Sequence, residues 1–259
     1  MGLYNATKPL VSVITPTRGR EKFLPLVYSC FETQDWPNLE WLIDDDSPEV
    51  SAFMKGLTDT RIKYHHNPSR RSVGLKRNEL VSRASGQYIV HFDDDDYYGA
   101  GYVSHYVQSM SRTNADCVKL CGFFIYDRSC RKFFYWDQTQ TRGMHFVCKH
   151  NQPRRIVEIA SEDDREFAKF RLGYGFSYAY RRTVWNSVKF PDVDFCEDLA
   201  FMSEAAKVHS VVLLPDTMGL CLHVIHSANV SGCFPQYLIP SFMLTALFPQ
   251  ATAYYSQGG

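Results

Sequence analysis

Four adjacent carboxylates, Asp93, Asp94, Asp95 and Asp96, follow a run of strand-forming residues in the first half of the chain. We call them the acidic quartet. Neighbouring carboxylates repel one another and raise one another's pKa, and a hard divalent cation relieves that repulsion by taking oxygen ligands. These residue types at this spacing therefore predict a Mg²⁺ or Mn²⁺ site, with a solvated acidic turn as the other interpretation.

The elements before the quartet predict where it lies. We predict strands at residues 10–15, 40–43, 62–65 and 88–92, and helices at residues 21–31 and 73–85. This alternation is typical of a doubly wound sheet with parallel strands. Two of the other strands also end in polar residues, namely Thr15-Pro16-Thr17-Arg18 and Asp44-Asp45-Asp46-Ser47. Because ligands bind at the carboxyl edge of such sheets, we expect these tips to form one site.

The second half of the chain has a different pattern. We predict helices at residues 102–113 and 197–207 and a strand at residues 176–180, while residues 116–126 are apolar and rich in cysteine and residues 133–136 are strongly aromatic. The charged residues 149–171 predict a loop or an exposed helix, and residues 251–259 predict a poorly ordered tail.

Composition excludes several classes of protein. The chain has 259 residues, 45% of them hydrophobic, and a formal net charge of zero, so we expect no general attraction to nucleic acid or to an anionic membrane. No apolar run approaches the roughly 20 residues that span a bilayer, and the amino terminus lacks a signal-peptide core. These features predict a cytoplasmic protein. The eight scattered cysteines predict buried free thiols rather than a zinc site or a disulfide framework.

Five motifs occur in an order that resembles family 2 glycosyltransferases, over roughly residues 9 to 230. They are Val11 to Thr17, Ile43 to Ser47, Gly74 to Asn78, Phe92 to Asp96 and Cys196 to Asp198. The resemblance implies one GT-A domain, a Rossmann-like α/β fold with a mixed sheet flanked by helices. It also implies a nucleotide-sugar half at about residues 1–115, an acceptor half at about 116–230 and an extension at about 231–259. The implied activity is metal-dependent, inverting transfer of a sugar, with UDP favoured as the donor nucleotide, to a glycan or another hydroxyl acceptor.

The resemblance also implies roles for residues on the donor side. Thr15, Pro16, Thr17 and Arg18, with Asp44 and Asp45, match the nucleobase and donor site. Gly74, Arg77 and Asn78 match a diphosphate segment, in which Arg77 is expected to brace either the phosphates or the acidic quartet. Within the quartet, Asp95 matches the metal ligand, Asp93 and Asp94 match donor or metal contacts, and Asp96 is the spare carboxylate. His223 or His226 is expected to complete the metal shell, and strand alternation predicts that at most one of them faces the donor.

Three further residues on the donor side have structural interpretations. Asp46 stands where the family usually has glycine, so an ordinary surface turn at Asp46 and Ser47 remains an alternative. Lys76 is expected to be solvated on the exposed face of a helix.

The acceptor side rests on fewer residues. Asp198 matches the family's catalytic base, Glu197 is the competing candidate, and capping of a helix is the structural alternative for Asp198. Trp136 and Tyr174 are candidates for stacking on an acceptor sugar. A sugar-phosphate nucleotidyltransferase and a non-catalytic module that binds metal or sugar remain alternatives. The sequence does not specify the sugar, the acceptor or the oligomeric state.

Overall fold

The computed structural model describes residues 8–149, 152–160, 170–227, 229 and 232–251. The first half alternates strands and helices as predicted. The elements are β1 (Val11–Thr17), α1 (Leu24–Glu32), β2 (Leu39–Asp45), α2 (Ala52–Gly56), β3 (Ile62–His66), α3 (Val73–Arg83) and β4 (Tyr88–His91). Helix α1 begins later than predicted because Pro25 occupies its first turn, where the missing N–H is harmless.

The second half is richer in strands. The elements are β5 (Tyr97–Tyr98), α4 (Tyr102–Thr113), β6 (Cys117–Asp127), β7 (Lys132–Asp137), β8 (Gly143–Val147), β9 (Arg155–Ile159), β10 (Tyr178–Arg181), α5 (Arg182–Ser187), α6 (Glu197–Ala205), β11 (Val211–Pro215), β12 (Cys221–Ile225), β13 (Tyr237–Ile239) and α7 (Phe242–Leu247). A single 3₁₀ turn at Gly175–Ser177 precedes β10.

One mixed sheet holds both halves together. Its main path in the described part of the chain is β13-β7-β6-β10-β4-β1-β2-β3, with β11, β12 and β5 joined at the side. Strand β1 is parallel to β2 and β4, whereas β10 is antiparallel to both β4 and β6. The parallel prediction is therefore correct for the first half, and the antiparallel β10 continues the sheet into the second half.

Strand register brings the polar tips to one edge. Thr17, at the end of β1, pairs with Asp45 at the end of β2, and β4 ends beside Ile14 so that the quartet follows on the same edge. Alternate residues of the central strands face opposite layers of the core. Ile14 packs in the cluster that includes residues of α3 and α6, and Val13 packs in the cluster that includes residues of α1 and α4. Burial of such side chains contributes roughly 1.5–3 kcal/mol each to the stability of the sheet.

Residues 149–171 were wrongly predicted in part. Residues Arg155–Ile159 form β9, which pairs with β8 as a hairpin apart from the main sheet. Charged residues at exposed positions of β9 hid the strand alternation. Residues 161–169 and the tail 252–259 lie outside the described residues. All eight cysteines are free and six are buried, as predicted.

None of the helices in the described ranges has the length and apolar character needed to cross a membrane.

Candidate active site

Two adjoining cavities open at the carboxyl edge of the sheet. The first, which we call the charged cavity, has a volume of about 290 Å³. It is lined by Pro16, Thr17, Arg18, Arg20, Arg70, Val73, Lys76, Arg77, Asp93, Asp94, Asp95, Glu197, His223 and Asn229. The second, the aromatic cavity, has a volume of about 360 Å³, and its walls include Phe170, Tyr174, Phe176, Phe195, Phe234 and Asp198. The two cavities share the walls formed by Arg77, Asp93, Glu197 and His223.

Three residues of the acidic quartet are buried and Asp93 is partly buried, so the interpretation as a solvated turn is wrong. Asp94, Asp95 and Asp96 are each 9% exposed or less. Burial and the charge of Asp95 raise the pKa of Asp94, whereas a hydrogen bond from His226 and the charge of Arg20 overcome burial and lower the pKa of Asp95. The guanidinium of Arg20 lies 3.7 Å from Asp94 Oδ1 and 3.5 Å from Asp95 Oδ2. The cluster is therefore held beside a cation of the chain itself.

Both late histidines contact the quartet, and of the two His223 lines the charged cavity whereas His226 does not. His223 Nδ1 lies 2.9 Å from Asp96 Oδ1, and His226 Nε2 lies 2.9 Å from Asp95 Oδ2. Alternation does not apply because β12 ends at Ile225, one residue before His226. Asp96 also accepts a hydrogen bond from the backbone N–H of Val224 at 2.9 Å, in agreement with its role as the spare carboxylate.

One buried atom of this cluster suits a metal ion. His223 Nε2 is buried and has no hydrogen-bond partner, while Nδ1 of the same ring is held by Asp96. A carboxylate that fixes one ring nitrogen leaves the other to coordinate a metal. Within the described ranges, no three His, Cys, Asp or Glu side chains already form a metal-binding group. The metal ligands that fit a divalent cation here are thus the Nε2 atom of His223 and the carboxylates of Asp93 and Asp95, which line the same cavity.

Arg77 lies between the donor side and the acceptor side. Its guanidinium, which is 3% exposed, donates to Asp93 Oδ1 at 3.1 Å, to Glu197 Oε1 at 3.2 Å and to His91 Nδ1 at 2.8 Å. Burial and the charge of Arg77 lower the pKa of His91 well below its usual value, so this ring stays neutral and accepts. Arg77 therefore braces the quartet, one of the two roles predicted for it. Sequence reasoning missed His91, since a histidine inside a strand carries no motif.

The predicted nucleobase residues lie at different depths. Thr15 is fully buried and its hydroxyl accepts a 2.9 Å hydrogen bond from Trp41, so it lines neither cavity. Asp44 is also fully buried and forms a bidentate ion pair with Arg71. Asp45 accepts from Tyr64 at 2.6 Å and lines a third cavity of about 510 Å³ beside the tip of β2. Asp45 is thus the better placed of the two acids, and Arg71 was missed.

Asp46 and Lys76 contradict their predicted settings. Asp46 is fully buried rather than part of a surface turn, and Lys76 is 2% exposed rather than solvated. Lys76 Nζ donates to Asp46 Oδ1 at 2.8 Å and to the carbonyl oxygen of Thr17 at 3.0 Å. Arg18 donates to the carbonyl oxygen of Asp46, and Arg70 Nη1 lies 3.6 Å from its carboxylate. Asp46 therefore orders the cations that line the charged cavity.

Gly74 and Asn78 do not line the charged cavity, contrary to the predicted diphosphate role. A Cβ atom on Gly74 would overlap the carbonyl oxygen of Pro191. Asn78 Nδ2 donates to the carbonyl oxygen of Phe190 at 2.8 Å, and its Oδ1 accepts from Trp185 at 2.9 Å. Both residues hold the chain that leads into α6.

The acidic pair opens α6 without a side-chain cap. Cys196, immediately before the helix, has φ of +63°, and no side chain caps the first turn. Asp198 Oδ2 accepts from the N–H of Gly175 at 2.6 Å and Oδ1 accepts from Leu199 at 2.7 Å. Burial and the charge of Asp198, opposed by Arg77, raise the pKa of Glu197 to about 7. Asp198 faces the aromatic cavity only, whereas Glu197 lies on the wall between the two.

The aromatic candidates divide between wall and core. Tyr174 lines the aromatic cavity and donates from its hydroxyl to Gly232 at 2.6 Å. Trp136 is 1% exposed and packs edge-on against Tyr174, so it supports the wall instead of contacting an acceptor. Phe195, which sequence reasoning missed, is 58% exposed at this cavity.

One protein-family model matches the larger part of the chain. The model described as Glycosyl transferase family 2 matches residues 12–183. The GalNAc(5)-diNAcBac-PP-undecaprenol beta-1,3-glucosyltransferase of Campylobacter jejuni is 30% identical over 118 residues, which cover 44% of this chain and 38% of that protein. The chain spans between 33% and 55% of the length of the curated relatives that it matches.

Solved structures share the fold. TarS 1-349 of S. aureus in complex with UDP-GlcNAc has a TM-score of 0.60 at 17% identity, covering 85% of this chain and 59% of that one. The mannosyltransferase PcManGT of Pyrobaculum calidifontis, in complex with GDP-Man and Mn²⁺, has a TM-score of 0.57 at 14% identity, covering 86% of this chain and 59% of that one. The predicted GT-A fold is confirmed.

Proposed function

Because the chain belongs to glycosyl transferase family 2, and is thus a glycosyltransferase, we propose that it uses a UDP-sugar and a divalent cation to glycosylate a hydroxyl group of a glycan acceptor. The observation that carries this proposal is the pair of adjoining cavities. The charged cavity suits a diphosphate with its cation, and the aromatic cavity suits a sugar ring. Their shared wall is where the anomeric carbon would lie.

Asp198 is the proposed general base. Two backbone N–H groups hold its carboxylate at the wall of the aromatic cavity. As the acceptor hydroxyl attacks the anomeric carbon, its proton passes to Asp198 and the bond to the diphosphate breaks. One displacement inverts the configuration of that carbon, and general-base catalysis contributes a factor of about 10² to 10⁴.

Glu197 has a different role in this proposal. Glu197 is less suited than Asp198 to act as the base, because its Oε1 atom already accepts a hydrogen bond from Arg77 at 3.2 Å. Through Arg77 it is linked to Asp93, so the base helix and the donor site are fixed relative to each other. Arg77 then places its positive charge beside the leaving diphosphate, where negative charge develops.

The proposed metal site consists of Asp93, Asp95 and His223. Its support is the buried, unpartnered Nε2 atom of His223 beside these carboxylates. A bound Mg²⁺ or Mn²⁺ would supply charge neutralisation for the departing diphosphate. His226 is proposed to orient Asp95 instead of binding the ion, since its Nε2 already contacts that carboxylate.

UDP is the proposed donor nucleotide. A carboxylate can accept from the imide N–H of uracil, and Asp45 lies in the cavity beside the tip of β2. Arg71, paired with Asp44 at 3.1 Å, offers guanidinium donors on the same edge. A structure of TarS contains UDP-GlcNAc and one of PcManGT contains GDP-Man, so both nucleotides belong in the test.

The experiment is a turnover assay with Mn²⁺ and a panel of UDP-sugars and GDP-sugars. Slow release of UDP from one donor, faster with a glycan acceptor, would support the proposal. Turnover that depends on pyrophosphate would indicate a nucleotidyltransferase, and binding without turnover would indicate a non-catalytic module. Donor at about 100 times its dissociation constant should stabilise the fold by roughly 2.7 kcal/mol, which identifies binding in a melting experiment.

A further inference from the structure

The position of α6 depends on the chain that precedes it. We call residues Pro191 to Cys196 the base-leading segment, because Glu197 and Asp198 follow it directly. No side chain of this segment caps the helix, and Cys196 turns the chain with φ of +63°. The direction of the first turn of α6 is therefore set largely by what holds the segment.

The amino terminus of α3 holds it. The first N–H groups of a helix have no partner inside the helix. Here the N–H of Val73 donates to Asp194 Oδ1 at 3.2 Å, and the N–H of Gly74 donates to the carbonyl oxygen of Val193 at 3.2 Å. Ser72, the N-cap residue of α3, donates from its hydroxyl to Asp192 Oδ1 at 2.7 Å. The carboxylates also complement the positive end of the helix dipole.

Arg70 connects this contact to the charged cavity. Its Nη2 atom lies 2.9 Å from Asp194 Oδ2, and its Nη1 atom lies 3.6 Å from Asp46 Oδ2. The same guanidinium lines the charged cavity. One side chain thus contacts the proposed donor site, the tip of β2 and the base-leading segment.

We propose that Arg70 and Asp194 are positioning residues that couple the anionic donor in the charged cavity to the placement of Asp198. The proposal rests on the function proposed above. A guanidinium has five N–H donors, so Arg70 can bind a phosphate oxygen while it keeps Asp194. Donor binding then restrains Arg70, and Arg70 restrains the base-leading segment.

The ion pair contributes little to folding stability. The side chains of Arg70 and Asp194 are 50% and 54% exposed, and ion pairs this exposed add little to the free energy of unfolding. Their effect on geometry is larger, because a misplacement of about 1 Å can slow a reaction about 10²-fold. A positioning role and a structural role therefore predict different measurements.

The test compares Asp194→Ala with a matched control, Glu79→Gln. The control breaks another exposed ion pair of α3, in which Arg83 Nη2 lies 2.9 Å from Glu79 Oε2. Amide hydrogen exchange is followed over residues 191–199 with and without UDP and Mn²⁺. UDP affinity and UDP release from a UDP-sugar are measured alongside. In Asp194→Ala, we expect faster exchange of these amides, loss of their protection by UDP, UDP affinity within about threefold of wild type and release slowed about 10- to 10²-fold. Asp194→Glu should restore most of the rate.

Equal exchange and equal release in Asp194→Ala and Glu79→Gln would overturn the positioning role. Failure of the wild-type protein to bind UDP or GDP would reject the proposed function separately. In that case the positioning of the segment is judged by exchange without nucleotide. Faster exchange of residues 191–199 in Asp194→Ala than in Glu79→Gln supports it, and equal exchange overturns it.

Discussion

Replacing Gly74 by alanine should damage catalysis more than it damages the fold. A Cβ atom there would overlap the carbonyl oxygen of Pro191 and lie 3.0 Å from its carbonyl carbon. Real Cβ atoms keep at least 3.0 Å from other heavy atoms, so backbone must move by about 1 Å or more. The Cβ atom of Glu197 would be only 3.4 Å away. The displacement therefore falls directly on the start of α6.

Two opposing effects set the change in the free energy of unfolding. Alanine is favoured over glycine in a helix by up to about 1 kcal/mol. Overpacking against backbone typically costs about 1–3 kcal/mol. We expect a net destabilisation of about 1–2 kcal/mol, together with UDP release slowed about 10²-fold because Asp198 shifts by about 1 Å.

The matched control is Gly56→Ala in α2, where an added Cβ meets no atom within 4 Å. This variant should gain up to about 1 kcal/mol of stability and keep its rate. Urea unfolding, UDP titration and UDP release are measured for both variants. If Gly74→Ala matched Gly56→Ala in stability and rate, the close approach of α3 to the base-leading segment would have no importance for the site.

Three further predictions address the base, the metal and a buried lysine. Asp198→Asn should slow sugar transfer at least about 10²-fold with nearly unchanged UDP affinity, and a larger loss in Glu197→Gln than in Asp198→Asn would reassign the base. In calorimetry, Mn²⁺ should strengthen UDP binding to the wild type, and Asp95→Asn should lose most of that effect; equal UDP affinity with and without chelator in the wild type would remove the metal from the proposal. Burial lowers the pKa of Lys119 to about 7, so above that pH the unfolded chain binds the extra proton and the folded state gains stability as pH rises. The difference in unfolding free energy between wild type and Lys119→Met should therefore shift in favour of wild type by about 1.4 kcal/mol per pH unit between pH 7.5 and 9, and a difference that does not vary with pH would show that Lys119 keeps its ordinary pKa.

The edge of the sheet could be predicted because it depends on local patterns. Apolar strand-like runs that alternate with helices predict parallel strands, and parallel strands place their tips together. The quartet and the tip of β2 are located in this way from the sequence alone, as is the start of α6 at Glu197. Each of these predictions needed only residues that are close in sequence.

Partners that are distant in sequence could not be predicted. Lys76 reaches Asp46 across 30 residues, and nothing near either residue marks it as buried. Asn78 donates a hydrogen bond to the backbone of Phe190, 112 residues away, so its role in holding α6 could not be predicted from the sequence. Trp136 was misjudged for a related reason, since aromatic composition does not distinguish a cavity wall from the core behind it.

The charge balance of the site gives a reason for the proposed metal dependence. Three of the cations that line the charged cavity, Arg18, Arg70 and Lys76, already contact Asp46. Arg77 is likewise held by Asp93 and Glu197. A diphosphate that entered alone would meet cations that already contact carboxylates of the chain, and it would face the carboxylates of the quartet. A divalent cation that enters with the diphosphate changes this, because it supplies the charge that both the phosphates and the quartet need. We therefore expect nucleotide and cation to bind with strong mutual dependence, in a site whose own arginines orient the donor more than they neutralise it.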